Sequence, residues 1–262
     1  GYVGSLGRNL FWQRNLAAIP FGTNFNPANI DPTTGAPFPP AFLRAYPGYN
    51  NVDMREGAGS SSYHSLQIAA NRRFTRGLEW GASWTWSKSM DFGSFETDPV
   101  STLVSPRVWN YGLSGHDRTH VLKIHWLYDV PKSPWSQIAA RLLFDGWQVS
   151  GVGSFVSGAP TAITFNTTVA MDITGSPTDG ARVVVTGDPV LPKSERTFSR
   201  NFRTEVFGLP AIGTIGNAAR SQLRGPGINN WDISVIKNFP VRESYKFQFR
   251  CEAYNPFNHT QF

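Results

Sequence analysis

Residues 78–89 read LEWGASWTWSKS. The even positions hold Leu78, Trp80, Ala82, Trp84 and Trp86, and the odd positions hold Glu79, Gly81, Ser83 and Thr85. Successive side chains of a strand point to opposite faces, so this stretch sets three tryptophans on one face and keeps the other polar. Two environments accept such a face. A soluble sheet buries it against a second layer, whereas a membrane barrel turns it toward hydrocarbon.

The same period of two recurs outward from this stretch. Residues 64–74 place Leu66, Ile68, Ala70 and Phe74 on one side and Gln67, Ala69, Asn71 and Arg73 on the other. Only Thr75, Arg76 and Gly77 separate this run from residue 78, which predicts a β-hairpin. Residues 119–130 set Leu122, Ile124, Trp126 and Tyr128 against Lys123, His125, Leu127 and Asp129. Residues 146–158 alternate less cleanly, with Trp147, Val149 and Phe155 sharing a face with Gly151 and Gly153. Residues 230–239 group Trp231, Ile233, Val235 and Phe239. In residues 245–254 Tyr245, Phe247, Phe249, Cys251 and Ala253 oppose Lys246, Gln248, Arg250, Glu252 and Tyr254. With residues 2–10 this makes about seven strands.

The connections alternate in length. Long stretches at about 11–62, 87–118 and 159–229 are rich in Pro, Gly and Asn. The links between them are short, TRG and PVRES, or moderate, 131–145, where WSQIAARLLF suggests a helical turn. Long loops at one end and short turns at the other are the plan of an outer-membrane barrel, with the long loops extracellular and the turns periplasmic. About 10 residues at ~3.3 Å, tilted ~45°, rise ~23 Å, near the height of the apolar band of such barrels. On this plan Tyr63, Trp84, Trp86 and Trp231 fall near the outer interface. Phe74, Trp126, Tyr128, Trp147 and Tyr245 fall near the inner one, as amphipathic rings do at lipid headgroups.

Composition agrees. No apolar run of about 20 residues is present, which excludes a helical membrane span. Charged residues are 16% and aromatic residues 14%, against a typical charged share of ~25%. The net charge of +6 is scattered without a basic stripe, so no nucleic-acid partner is expected. The single Cys251 leaves no internal disulfide and no thiolate metal cluster. The opening GYVGS reads as strand rather than leader, so a mature form or a piece of a longer polypeptide is expected.

Five segments then carry a resemblance: SSYHSLQIAANRRFTRGLEWGASWTWSKSMD, GHDRTHVLKIHWLYDVP, DGWQVSGVGSFVSGAP, GNAARSQLRGPGINNWDISVIKNFPV and FQFRCEAYNPFNHTQF. In this order they resemble the C-terminal half of TonB-dependent outer-membrane receptors, most closely the Oar-like type that carries an N-terminal carboxypeptidase-regulatory-like domain. The resemblance implies a barrel of about 22 strands, a plug, a TonB-box peptide, and TonB-powered uptake of a large or scarce solute across a Gram-negative outer membrane. It implies membrane lipid and lipopolysaccharide as partners, and the TonB complex through parts that this chain lacks. No plug, TonB box or regulatory-like domain is recognisable. Seven strands cannot close so wide a barrel, which again suggests a piece of a transporter. The terminal Phe262 does not read as an assembly signal, because Pro256 and Asn258 interrupt the alternation before it.

The candidate solute contacts are the loop aromatics Trp109, Tyr111, Phe198 and Phe202, and the polar-face charges Glu79, Lys123, Arg250 and Glu252. The solute is unidentified, with an oligosaccharide among the candidates. Enzymatic signals are weak. His116 and His120 share a side of a strand but stand ~13 Å apart, too far to chelate one ion. Asp117 and Arg118 read as a local pair or cap where the loop enters the strand. No G-x-S-x-G elbow occurs. Glu79 and Glu252 could mimic a glycosidase pair, yet lumenal charge balanced by Lys123, Lys246 and Arg250 accounts for them. Cys251 lies on an apolar face, where a sulfur is inert. RGPGINN lacks the lysine of a phosphate loop. No catalytic residue, metal or cofactor is therefore expected. The competing reading is a soluble all-β polysaccharide-binding module or hydrolase, with the tryptophans as core or sugar platform.

Overall fold

The computed structural model describes residues 1–165, 172–242 and 245–260. Seven long strands dominate it: β1 (Tyr2–Asn15), β2 (Asp53–Thr75), β3 (Leu78–Asp91), β4 (His120–Asp129), β5 (Trp147–Val156), β6 (Ile228–Arg242) and β7 (Tyr245–Tyr254). They lie in chain order in one sheet, each antiparallel to its neighbours. Among the described residues β1 and β7 are not paired with each other, so the sheet is an open arc. All three long connections leave from one end, and the 76–77 turn and the 130–146 link lie at the other.

Register shows why the period-two pattern matters. One row runs Ile68, Trp84, Leu122, Phe155, and the next runs Ala70, Ala82, Ile124, Gly153, Trp231. A third runs Arg72, Trp80, Trp126, Gly151, Ile233, Ala253. A one-residue slip between any two strands would mix the faces. The in-register stack instead joins all the apolar alternates into one continuous surface. Among the described residues no second layer covers it: Phe247 is 61% exposed and Trp86 53%. The sandwich expected of a soluble sugar-binding module is not what this chain builds. Apart from Trp12 on β1 and Ile236 on β6, the buried apolar side chains among the described residues instead gather among the loops, at Ala17, Ile19, Val100, Ile173, Val183, Leu191 and Ala218.

Three expectations change. The strands are longer than the alternation suggested, since β1 continues to Asn15 and β2 begins at Asp53. The long loops are accordingly 16–52, 92–119 and 157–227 rather than 11–62, 87–118 and 159–229. Residues 53–62, DMREGAGSSS, have no apolar face, but they pair with β1 through their backbones and so extend the sheet. Second, Tyr63 is opposite Ser5 and Ser89, on the polar face. It does not join the interface aromatics, because it is odd-numbered on a strand whose apolar positions are even. Third, Trp126 and Trp231 do not belong to opposite rims. Their rings meet edge to face with centroids 5.7 Å apart, and Phe155 lies 5.2 Å from Trp231. Gly151 and Gly153 lie across from the two tryptophans and leave room for them to lean together. Trp84, Trp86, Tyr128 and Trp147 do lie on the apolar face. The side chain of Tyr245 and residue Phe262 lie outside the described part of the chain.

Candidate functional site

The long-loop end is tied together by ion pairs that span the sequence. Above Trp86 and His120 the ladder between β3 and the incoming chain opens, and pairing resumes only at Met90 with Leu113. Asp117 fills the gap. One carboxylate oxygen accepts the Ser89 N–H at 2.6 Å, and the other accepts the Arg224 guanidinium at 2.5 Å. Asp117 is 1% exposed, and a buried carboxylate needs such partners. Of the pair or cap expected at Asp117 and Arg118, the cap is the one formed. Arg118 donates to the carbonyls of Gly115 and Asp117. A second bridge joins Arg220 to Asp91 on β3, and Arg220 also donates to Ser94 Oγ at 3.0 Å. The 157–227 loop is thus fastened to β3 and to the 92–119 loop.

A third contact stacks Arg182 over the Trp109 ring at 4.0 Å. Burial, reinforced by the nearby charge of Arg220, pulls the Arg182 pKa down to about 10. Beside it Asp179 accepts a hydrogen bond from Ser101 Oγ at 3.0 Å, and burial raises the pKa of this carboxyl.

Beside these ties lies an open cavity of about 750 Å³. Its walls include Trp109, Tyr111, Arg220 and Arg224. Its floor is the upper margin of the apolar face, where Tyr2, Leu66 and Trp86 form one row and His64 and Lys88 belong to the next. Such a site suits a ligand with both apolar and polar parts.

The polar face carries a second depression, of about 340 Å³, lined by Glu79, His125, Ser150, Asp232, Ser234 and Glu252 among others. It crosses from β3 to β7. Tyr254 Oη donates to Glu252 at 2.9 Å, and Arg250 approaches the same carboxylate at 3.5 Å. Both partners of that ion pair are well exposed, so it adds little stability.

The structure therefore divides the expected contacts. Trp109 and Tyr111 come together in the loop cavity, and Glu79 and Glu252 in the polar depression. Lys123 lies on the polar face opposite Ser83 and Ser154, and Arg250 lies opposite Ile236, but neither lines either depression. Phe198 is wholly exposed, and Phe202 packs against Phe207 at 5.9 Å instead of joining a cavity. His116 and His120 go separate ways, one against Phe95 and the other stacked on Trp84. Sequence reading missed Arg182, Arg220 and Arg224. No local spacing marks them, because the carboxylates that hold two of them lie more than 100 residues away.

A family model described as an outer membrane beta barrel domain matches residues 1–262. No curated protein and no solved structure matches the chain.

Proposed function

The chain belongs to the outer membrane beta barrel domain family and is a protein of the bacterial outer membrane, and from that premise we propose that it forms part of a TonB-dependent transporter that binds and imports a large or scarce solute. Hydrocarbon then covers the face built from Ile68, Trp84, Ile124 and Phe247, and the polar face lines the interior. The long loops are extracellular. Apart from a short parallel pairing of Gln13 and Arg14 with Pro99 and Val100, the edges of this seven-strand arc are unpaired among the described residues, and further strands are required to close it, since open edges are prohibitive in lipid.

The observation that carries this reading is the loop cap. The 750 Å³ cavity opens on the apolar side of the sheet and is not part of the solute's route, but a diffusion pore needs no structured lid, and here buried Asp117 and Asp91 lock the 92–119 and 157–227 loops to each other and to β3. That is how a binding protein preorganises a site. The polar depression with Glu79, Asp232 and Glu252 supplies hydrogen-bond acceptors along the interior wall.

The test uses the native outer-membrane polypeptide in vesicles and in cells. A transporter should give solute-saturable tryptophan fluorescence changes and no swelling of vesicles in small sugars. It should accumulate solute in cells only when TonB is present. Swelling that scales with sugar size and ignores TonB would make it a passive pore and defeat the proposal.

A further inference from the structure

The link from β4 to β5 carries the helix Ile138–Phe144 at the short-turn end. Lys237 decides where this helix lies. In register it is opposite Trp147 and Phe249, which places it in the apolar face. It is nevertheless only 3% exposed. Its Nζ donates to the Leu143 carbonyl at 3.2 Å and to the Asp145 carbonyl, and it sits 5.0 Å from the Trp147 ring and 5.2 Å from the Phe239 ring. Trp147 Nε1 donates to the same Leu143 carbonyl at 2.8 Å. The last carbonyls of a helix have no partner within it, and a cation there also suits the helix dipole. Lys237 and Trp147 thus pin the C-terminal end of the helix against the apolar side of the sheet. The stop is firm. Asp145 accepts the Ser133 N–H at 2.6 Å, and Gly146 takes the left-handed backbone with φ of 78° that commonly ends helices.

The pinned segment shows its apolar side chains to the outside. Ile138 is 77% exposed, Leu143 61%, Leu142 52% and Trp135 51%. Lys132 and Arg141 lie at its polar margin and, with Leu142 and Phe239, line a groove between helix and sheet.

We propose that residues 131–146 form an interfacial membrane anchor, with Trp135, Ile138 and Leu142 seated in the acyl boundary of the periplasmic leaflet. The occupant is lipid because the surface that holds the helix is the same one hydrocarbon covers, continuous with Trp147, Phe239 and Phe249. Lys132 and Arg141 stand at the height of the headgroup phosphates, as cations of amphipathic interfacial helices do. The inference rests on the preceding reading of the apolar face as lipid-covered and the short-turn end as periplasmic.

The test places a nitroxide at Leu142→Cys in the native polypeptide, in a Cys251→Ser background, reconstituted in phospholipid vesicles. Ile124→Cys serves as a strand control. Collision with oxygen should exceed collision with a water-soluble nickel chelate at residue 142, at a depth of about 5–10 Å. Free access of the nickel chelate to 142 places the helix in water, and shielding from both reagents places it under protein; either result overturns the anchor. A water-exposed label at 124 defeats the barrel reading itself and the anchor with it, which separates the two failures. Lys237→Met should raise nickel access at 142 several-fold and leave 124 unchanged, and Lys237→Arg should restore the parent value. No change at 142 in Lys237→Met removes the pinning role.

Discussion

The indole of Trp126 occupies the space that a side chain on Gly151 would need. The two residues face each other across β4 and β5, and the neighbouring Gly153 leaves matching room beside Ile124 and Trp231. A glycine weakens a strand by its freedom and lack of side chain, and here the aromatic rings laid over it compensate. Gly151→Val should therefore destabilise the sheet by about 1–3 kcal/mol, the range for overpacking. Heat-modifiability on semi-native gels should show the loss. Val149→Ala, on the same face, should cost less.

Removing the Arg224 side chain leaves the fully buried Asp117 carboxylate without its cation. Breaking such a pair costs about 3 kcal/mol or more. Arg224→Ala should open the 92–119 loop to protease while the strands stay protected. Asp117→Asn, which keeps an acceptor for the Ser89 N–H, should be milder. Equal cleavage in the parent and in Arg224→Ala would show that the bridge does not hold the loop.

Asp179 provides a pH test. Burial raises its pKa, so the folded cap binds the proton more tightly than the unfolded loop does. For a raised carboxyl the linkage favours the folded state as pH falls through the window just above the ordinary carboxylate value. Loop protection should increase from neutral toward mildly acidic pH. Asp179→Asn should flatten that dependence and leave the hydrogen bond from Ser101 in place. A protection profile that is level in the parent would contradict this.

Solute binding should follow the polar depression on the interior wall rather than the aromatic content of the loops. Glu79→Gln and Glu252→Gln should each weaken binding several-fold, in line with about 1 kcal/mol for a hydrogen bond. Phe198→Ala, at a fully exposed loop position, should leave affinity unchanged. Calorimetric titration distinguishes these outcomes.

Much of this architecture was readable from alternation alone. Leu78 to Trp86 announced its two faces because every apolar side chain there has a polar neighbour on each side. The strand extensions beyond the band were not readable, because residues 53–62 need only backbone pairing and carry no hydrophobic signal. Tyr63 looked like an interface residue from its type, but its odd position put it on the polar face. The meeting of Trp126 with Trp231 depends on which residue of β5 each one opposes, a register that neither strand encodes by itself. The loop cap was the least legible part. Its ties join Asp91 to Arg220 and Asp117 to Arg224, and nothing near any of these four residues points to a distant partner.

The length of β2 has a consequence for what the cell surface meets first. Of its 23 residues, about ten suffice to cross hydrocarbon at a ~45° tilt, and the remainder lifts the sheet roughly 30 Å farther. With the long loops outside, as proposed above, β1 and β2 form a wall that rises beyond the cap, whose ties at Ser89 and Asp91 lie within five residues of Trp86. On that orientation a molecule arriving from the medium would reach this wall before it reached the bilayer.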